Sequence, residues 1–499
     1  MESNAATLPN KGTATLVLLC ALALVLRMGV YWFSPNIFWP DEIFQSLEQA
    51  HRLVFGHGLQ PWEFRQGTRS WLLPGFLAGI FSATSWIGEG SGAYLFATSL
   101  SLSLLSLVSV VCAFRWSQRA FGLLGGVLAA VVCATWFEFL FFAPKALSEV
   151  IAGHVLLAGV FLAWSPEGLS SKKKLFVSGL LLGLCIALRV HLAVGVGICL
   201  LMVCKRDWQK AWKPMLAGLF VPILLVGLLD MLTWSWPFQS FWLNAYVNVV
   251  EGKSKMWGTS PWYMYLSYLS GVWSWFGLPI LVLIVLGARR FPLLFFVALG
   301  IVLSHMLIPH KEYRFIYPGV MLLLVLAALG SAQILDWLRQ RAVESKQAVI
   351  AAFGLAAFWL CASLVQAQSF DNAKTHITLG DRTISSHWAR YQGVLKGMKA
   401  LSSDKKVCGV GLMGVHWYHS GGYAYLHKDI PIVLVERFAD FSKKARHFDA
   451  LITKKRWFRH VQPFRPTLCG PTYCLFRRRG ECTRKKGYHL NQVLKARKE

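Results

Sequence analysis

Long apolar segments set the strongest limit on how this chain can fold. Through the first 370 residues, hydrophobic runs approach or exceed the ~20 residues that a helix needs to cross a bilayer. Only 15% of the 499 residues are charged, whereas soluble domains carry roughly 25%. One soluble core of this length would also exceed the usual limit of about 250–300 residues. The sequence therefore predicts an all-α polytopic membrane protein.

Basic clusters predict which loops face the cytoplasm, because Lys and Arg are enriched on that side of membrane proteins. By this rule Lys172–Lys174 and Lys205–Arg206 both lie inside. The apolar run 175–203 between them must then cross the membrane outwards and return to the cytoplasmic side. We predict a tight hairpin of two short helices that turns near Arg189 and His191 at the outer face.

About eleven crossings result, with the N-terminus inside. The segment 70–87 is not counted, because a crossing there would place Arg115 and Arg119 outside. We predict that it is an interfacial or partly inserted helix. Besides the hairpin, the predicted spans are 14–33, 93–114, 121–143, 148–165, 211–233, 264–287, 291–309, 315–335 and 347–369.

The chain changes character after residue 370, where polar and apolar residues alternate. Val407–Met413 and Ile430–Val435 have the pattern of strands. We therefore predict a small C-terminal α/β domain outside the membrane. The predicted units are a transmembrane catalytic domain, 1–370, with outer loops 34–69, 234–262 and 310–314, and an extracytoplasmic domain, periplasmic or luminal, 371–499.

The tail contains four of the eleven Cys residues and a strongly basic end. Four Cys allow three disulfide pairings, which the sequence does not distinguish. The other seven lie in or beside apolar spans and are typical of small buried hydrophobes. The Cys residues of the tail are Cys408, Cys469, Cys474 and Cys482. We expect the basic end to be flexible. It includes Arg477, Arg478, Arg479, Arg484, Lys485 and Lys486.

The net charge of +27 indicates attraction to anionic lipids or phosphate. Much of this charge flanks apolar spans, as positive-inside loops do. We therefore expect contacts with membrane lipids and no nucleic-acid partner.

Acidic and polar residues crowd the loop that follows the first span. Trp39-Pro40-Asp41-Glu42 precedes Gln45, Glu48 and His51. Pro40 suits the start of a helix lying on the membrane surface, and Asp41, Gln45 and Glu48 would share one face of that helix. The alternative interpretation is that these carboxylates only complement the helix dipole.

Cations follow in the same loop, at Arg65 and Arg69. Either they anchor the chain near lipid head groups beside Trp62, or one of them binds a phosphate. Glu63 precedes both cations in the sequence and is a candidate polar contact of the substrate.

Two further places combine charge with apolar surroundings. Arg189-Val190-His191 interrupts an apolar run. An arginine in such a run is costly and by default indicates a functional role. The alternative is that its side chain extends to the membrane interface. Lys145 and Glu149 lie between two spans, and a local ion pair explains them equally well.

The turn 310–314 is the most informative feature, because four of its five residues are ionisable. His310-Lys311-Glu312-Tyr313-Arg314 joins two apolar helices with almost no loop. A connecting turn would normally contain Gly, Asn or Ser. The composition of this turn therefore indicates a functional site.

This turn, with Phe315 and Pro318, resembles the His-Lys-Glu-x-Arg-Phe signature of glycosyltransferase family 22, a family of C-type glycosyltransferases. The resemblance is closest to the GPI mannosyltransferase III branch. Two features depart from that branch: Trp234-Ser235-Trp236 replaces a usual Tyr-Gly, and Ser260 stands where His is common. The other matching positions are Pro40-Asp41-Glu42, Gln45, Glu48, His51, Trp62-Glu63, Arg69-Ser70, Asp230, Trp242, Asn244, Asn248, Gly258, Pro261, Trp262 and the stretch His416–His427.

The resemblance implies a mannosyltransferase that uses polyprenyl- or dolichyl-phosphate mannose and a glycolipid or glycan acceptor. A single carboxylate base suffices for an inverting displacement that yields an α-mannoside. Asp41 is the expected base, and Glu42 the second choice. The expected donor-phosphate ligands are Arg189, His310, Lys311 and Arg314, and the expected substrate contacts are Glu312, Gln45, Glu63, Arg65, Arg69, His191 and Trp262.

The sequence shows neither a Gly-rich nucleotide loop nor a convincing Asp-x-Asp motif on the outer face. We therefore expect no metal, no cofactor and no nucleotide-sugar donor. A lipid or polyisoprenoid-sugar flippase and a C-type transferase of another lipid-linked sugar remain as alternatives. A bacterial inner membrane is the favoured location, or the endoplasmic reticulum in a eukaryote.

Overall fold

The computed structural model describes residues 11–165, 168–341, 345–370, 387–483 and 488–496. Helices dominate, as predicted. The first part of the chain contains α1 (Lys11–Phe33), α2 (Glu48–Phe55), α3 (Trp62–Arg65), α4 (Leu72–Thr84), α5 (Gly92–Ser106), α6 (Val108–Thr135) and α7 (Phe137–Phe142), with a π-helical segment over Glu42–Leu47.

The next part is also helical, apart from a minimal pair of strands. Its elements are α8 (Ser148–Ala163), β1 (Trp164–Ser165), β2 (Gly168–Leu169), α9 (Lys172–Leu188), α10 (Ala193–Arg206), α11 (Trp208–Thr233), α12 (Gln239–Ala245), α13 (Met264–Trp273), α14 (Gly277–Arg290), α15 (Pro292–Met306), α16 (Tyr313–Arg341) and α17 (Ser345–Ser369).

Within the described residues, six helical segments are long and apolar enough to cross a membrane. Shorter apolar helices accompany them, so the fold is that of a multi-pass membrane protein. The count of eleven crossings stays a prediction. The six segments are Lys11–Phe33, Gly92–Thr135, Trp208–Thr233, Met264–Arg290, Tyr313–Arg341 and Lys346–Gln368.

The boundary between the second and third predicted spans falls at Gly122. This residue has φ 78°, which breaks the regular helix inside α6. Glycine is the residue that adopts this conformation without a steric penalty. The break therefore lies a few residues after Arg115 and Arg119, where the sequence predicted a cytoplasmic turn.

The predicted hairpin over 175–203 forms two helices, α9 and α10, which turn at a short 3₁₀ segment, Val190–Leu192. The turn therefore falls where it was predicted, although the two helices make few contacts with each other. α9 packs instead against α11, where Gly179 and Gly183 let its backbone approach Met215 and Leu219. Small residues four apart bring two helix backbones together, and this contact wins over the sequence-adjacent one.

α4 lies where the sequence predicted an interfacial helix. Just before it, the Arg69 carbonyl accepts from Trp234 Nε1 in the predicted outer loop, at 3.1 Å. Just after it, Ser91 Oγ donates to the carbonyl of Tyr425 in the C-terminal domain, at 2.7 Å. Both flanks of α4 thus contact segments that were assigned to the same face.

The C-terminal domain is a five-stranded mixed sheet covered by short helices. The strand order is β4-β3-β5-β7-β6, with parallel pairing of β3 to β4 and β5, and antiparallel pairing of β7 to β5 and β6. Both predicted strands are present with shorter bounds. The elements are α18 (Gln392–Ser402), β3 (Val410–Met413), α19 (Gly422–Leu426), β4 (Ile432–Val435), α20 (Phe441–Lys444), β5 (Ala450–Lys454), β6 (Arg465–Cys469), β7 (Tyr473–Arg477) and α21 (Leu490–Ala496).

The four Cys of the tail form two disulfides, Cys408–Cys482 and Cys469–Cys474. Part of the basic end is held in place, contrary to the expected flexibility. Arg477 pairs with Asp449 at 2.9 Å and with Asp404 at 2.7 Å, because the strand register sets Arg477 opposite Ala450, the neighbour of Asp449. Arg484, Lys485 and Lys486 lie outside the described residues.

One apolar cluster joins the two domains. Phe44, Leu47 and Tyr94 belong to it from the first loop and α5, and Leu395 and Tyr423 belong to it from the C-terminal domain. The Tyr94 hydroxyl donates to the Ala424 carbonyl at 2.7 Å. The C-terminal domain therefore packs directly on the loop that carries the candidate carboxylates.

Candidate active site

The first loop and the turn 310–314 meet, although they are far apart in sequence. Asp41 Oδ2 lies 3.0 Å from Arg314 Nη2. Arg314 occupies the first turn of α16 and also contacts Glu312 through Nε. Asp41 is the more exposed partner, at 22% of its side-chain surface against 6% for Arg314. Within this ion pair the Asp41 carboxylate is therefore partly exposed, and the Arg314 guanidinium is buried.

Glu149 links two of the predicted cations. Its Oε1 lies 2.8 Å from Arg189 Nη2 and 3.6 Å from Arg314 Nη1. Glu149 was a weaker functional signal in the sequence, which a local ion pair with Lys145 explained equally well. The ion-pair alternative was wrong, since Lys145 pairs with Glu42. The two arginines lie 125 residues apart in the sequence (314 − 189). No pattern in the neighbouring residues indicates that either of them contacts Glu149.

Glu312 ties the turn together. Its carboxylate accepts from Arg314 Nε and lies 3.1 Å from His310 Nε2. Burial lowers the pKa of His310, but the hydrogen bond to Glu312, the charge of Glu312 and the contact with the Gly258 carbonyl together outweigh it and raise that pKa. His310 Nδ1 contacts the Gly258 carbonyl at 3.0 Å. Lys311 Nζ donates to the backbone carbonyls of Ser260 and Ile308, so it also supports the turn.

A second chain of polar contacts runs along the first loop. Gln45 Nε2 donates to Asp41 Oδ1 and, at 2.9 Å, to Glu63 Oε1. Burial raises the pKa of Glu63, and the positive charge of Arg69 opposes this. Arg69 Nε is buried without a hydrogen-bond partner among the described residues.

Of these groups, Asp41, Gln45, Arg69, Glu149 and Arg314 line one pocket that opens to solvent. Its lining combines charged and polar side chains with apolar side chains from α4, the residue before α8 and the end of α9. Its lining residues are Asp41, Gln45, Ser46, Phe64, Arg69, Ser70, Leu72, Leu73, Pro74, Leu147, Ser148, Glu149, Ala187, Leu188 and Arg314.

Glu42 does not belong to this lining. It is 5% exposed and lies 3.1 Å from Lys145 Nζ, which also donates to Asn36 at 2.7 Å. Burial raises the pKa of the Glu42 carboxyl, with Lys145 opposing. Because successive residues of a helical turn point in different directions, Asp41 faces the pocket and Glu42 faces the protein interior. The geometry thus does not favour Glu42 as a base.

Five expected substrate contacts lie outside the pocket lining: Glu63 and Glu312, whose contacts are given above, and Trp262, His191 and Arg65. Trp262 is 64% exposed and stacks edge-on against Tyr263. His191 approaches His305, with ring centroids 6.1 Å apart. Arg65 has a buried Nη2 without a hydrogen-bond partner among the described residues. Their assignment as substrate ligands stays a prediction.

Glu48 points away from Asp41 and Gln45, so the expected common face was wrong. Its carboxylate accepts from the backbone N–H of Leu59 at 2.6 Å and of Ala424 at 2.8 Å. The segment Glu42–Leu47 is π-helical, and its wider turn shifts the phase of the residues that follow. Glu48 therefore connects the first loop to the C-terminal domain.

Replacing Glu48 with Ala should loosen this connection, because two buried N–H groups lose their acceptor at about 1–3 kcal/mol each. We expect faster hydrogen exchange in segments 57–60 and 422–427, measured by mass spectrometry. The exposed Glu89 contacts Lys405 at the same domain boundary, so Glu89→Ala is the control and should leave exchange there unchanged. Unaltered exchange in Glu48→Ala would contradict the role of Glu48.

The same variant should be more sensitive to acid than the parent. His51 Nε2 lies 3.1 Å from His427 Nδ1, and burial lowers the pKa of His51 to about 3. Below about pH 6.5 the His51 ring takes up a proton in the unfolded state but not in the folded state. Lowering the pH therefore destabilises the folded interface. Burial raises the pKa of Glu48 to about 7, so its protonation in the folded state offsets part of this loss. Glu48→Ala removes the offset between pH 7 and 5.

The sequence model of the Alg9-like mannosyltransferase family matches residues 16–427. Over 436 residues the chain is 28% identical to GPI mannosyltransferase 3 of Yarrowia lipolytica, covering 85% of this chain and 77% of that protein. It is 25% identical to GPI alpha-1,2-mannosyltransferase 3 of Mus musculus, covering 64% and 59%. The match thus spans about three fifths of the length of the mouse relative.

A solved structure supports the same fold. ArnT from Cupriavidus metallidurans, bound to undecaprenyl phosphate, superposes with a TM-score of 0.54, covering 93% of this chain and 98% of ArnT at 11% identity. The family match contains the first loop, the turn 310–314 and the segment of the C-terminal domain that binds Glu48. This chain therefore belongs to the Alg9-like mannosyltransferase family, and it is a multi-pass membrane glycosyltransferase.

Proposed function

We propose that this protein transfers mannose from a polyprenyl- or dolichyl-phosphate mannose to a glycolipid or glycan acceptor, with inversion to an α-mannoside. One observation carries the proposal: a carboxylate, Asp41, and two cations, Arg69 and Arg314, line the same pocket. The chemistry needs such a set, because the acceptor hydroxyl requires a base and the departing lipid phosphate requires positive charge.

Asp41 is the proposed base. It is the exposed member of its ion pair, and Gln45 holds its other oxygen. A carboxylate within hydrogen-bond reach of the acceptor hydroxyl accepts its proton as the hydroxyl attacks. Arg314 keeps Asp41 in place and adds positive charge on the side where the phosphate leaves.

Arg69 is the proposed principal ligand of the donor phosphate, which modifies the assignment made from sequence. Arg189 contacts Glu149, and His310 contacts Glu312. Neither of these cations, nor Lys311, lines the pocket. Arg69 does line it, and its buried Nε has no hydrogen-bond partner among the described residues. We therefore assign the phosphate to Arg69 and Arg314, and a supporting role to Arg189 through Glu149.

The apolar part of the pocket lining fits a prenyl chain. Leu72, Leu73 and Pro74 of α4 line the pocket together with Leu147 and Leu188. ArnT, which shares the fold, is bound to undecaprenyl phosphate in its crystal structure. We propose that the lipid of the donor runs along α4 into the membrane while its phosphate reaches Arg69.

The site faces the outer side of the membrane in our proposal. The two disulfides of the C-terminal domain favour an oxidising compartment, and that domain packs on the candidate site. The relatives from Yarrowia lipolytica and Mus musculus favour the lumen of the endoplasmic reticulum over the bacterial inner membrane that the sequence favoured. Their names also favour a GPI-type glycolipid as the acceptor.

A transfer assay tests the proposal. The purified full-length chain is given dolichyl-phosphate mannose and a mannosylated GPI-precursor glycolipid, and products are read by mass spectrometry. We expect one added hexose that an α-mannosidase removes. A donor panel with glucosyl and arabinosyl lipid phosphates separates another C-type transferase. Movement of the donor across liposome membranes without product would instead support a flippase.

Replacing Arg69 with Gln should raise the KM for the donor by about 10–100-fold, since a charge-assisted contact to phosphate contributes about 1.5–3 kcal/mol. The kcat should change less. Arg437→Gln, at a position that is 82% exposed in the C-terminal domain and outside the pocket lining, is the control and should stay within threefold of the parent. Equal effects of the two variants on KM would refute the assignment of Arg69.

A further inference from the structure

A fully buried carboxylate lies behind the turn 310–314. Glu138, on α7, is 0% exposed. Its Oε2 accepts from Trp136 Nε1 and from Trp273 Nε1, each at 2.9 Å, and its Oε1 accepts from the Tyr313 hydroxyl. No Lys, Arg or His forms an ion pair with it among the residues that the structure describes.

The donors come from separate elements that meet only in the folded chain. Trp273 ends α13, Tyr313 begins α16, and Glu138 itself belongs to α7. All three side chains are at most 2% exposed. A buried carboxylate cannot leave such partners without losing its hydrogen bonds in an apolar environment, which is costly. The arrangement therefore locks the start of α16 to α7 and α13.

The locked residue directly precedes Arg314. Tyr313 and Arg314 are consecutive at the first turn of α16, and their side chains project in different directions. Tyr313 reaches back to Glu138, while Arg314 reaches forward to Asp41 at 3.0 Å and to Glu149 at 3.6 Å. A shift of Tyr313 would move the guanidinium out of the pocket.

We propose that Glu138 is a positioning residue: through the Tyr313 hydroxyl it fixes the first turn of α16, so that Arg314 holds Asp41 and faces the donor phosphate. This inference rests on the proposed transferase function and deepens it. Neither Glu138 nor Tyr313 lines the pocket. Their effect on the reaction passes through Arg314.

Two variants remove one hydrogen bond each from the same carboxylate and so form a matched pair. Tyr313→Phe removes the bond that leads to Arg314, and Trp273→Phe removes a bond that leads away from the pocket. We expect both to lower the thermal unfolding midpoint by a similar few degrees. Only Tyr313→Phe should lower kcat, by about tenfold, because Asp41 loses its position, and its donor KM should also rise, because Arg314 moves away from the phosphate.

A third variant shows whether Glu138 and Tyr313 act as one unit. Glu138→Gln keeps the shape and one acceptor oxygen, and we expect it to lower kcat to a similar degree. The double variant Glu138→Gln with Tyr313→Phe should then lose little more than either alone, which is the non-additivity that coupled residues show.

The inference is overturned if Tyr313→Phe keeps the parental kcat, if Trp273→Phe loses as much kcat as Tyr313→Phe, or if the double variant loses the full product of the single effects. Size-exclusion profiles of the detergent-purified variants identify any that do not fold, and the folded ones decide the outcome. Absence of transfer by the parent itself would instead refute the proposed function.

Discussion

Replacing Asp41 with Asn is expected to lower kcat for mannosyl transfer by about 10²–10⁴-fold, the range that a positioned general base contributes. Asparagine has the same size and still accepts from Gln45, but it cannot take a proton from the acceptor hydroxyl. The KM for the donor should change little, because Arg69 and Arg314 remain. Single-turnover rates with dolichyl-phosphate mannose measure the effect.

The control for this prediction is another carboxylate in the same part of the protein. Glu89 is 65% exposed, pairs with Lys405 and lies outside the pocket lining. Glu89→Gln therefore changes the same charge without touching the site and should keep the parental rate. An Asp41→Asn enzyme that works within threefold of the parent would show that the base is another group.

Replacing Glu149 with Gln is expected to destabilise the folded protein by about 3–5 kcal/mol, the usual loss when one partner of a buried ion pair is removed. Arg189, with 11% of its side chain exposed, would lose its carboxylate at 2.8 Å, and Arg314 would lose one of its three. Activity should fall as well, because Arg314 would no longer be held from both sides. Thermal unfolding in detergent and transfer rates measure the two effects.

A double variant separates the ion pair from simple packing. Arg189→Met alone should also destabilise, because it leaves Glu149 with only the longer contact to Arg314. Combined with Glu149→Gln it should destabilise less than the sum of the single changes, since no unpaired buried charge remains on either side. Additive losses would mean that the pair contributes nothing beyond the separate side chains.

Properties that depend on local composition were predictable from the sequence. A bilayer requires long uncharged helices, so the scarcity of charge between residues 11 and 370 predicted the membrane fold and most of its helices. The charged turn 310–314 was visible in the sequence for the same reason, since four ionisable residues in five positions are costly at a membrane, and its role as a site stays a prediction. The strands β3 and β4 followed from simple alternation.

Only the tertiary structure decided which charges work together. Glu42 pairs with Lys145 and Glu149 with Arg189, although sequence proximity favoured other partners. Glu48 turned to Ala424 of the C-terminal domain, 376 residues away, after a π-helical segment changed the helix phase. Ionisable residues in apolar surroundings take whichever partner the packing of distant helices brings within reach, because an unpaired buried charge is too costly to keep. Residue type and spacing determine that such partners must exist, and the packing of the helices determines which they are.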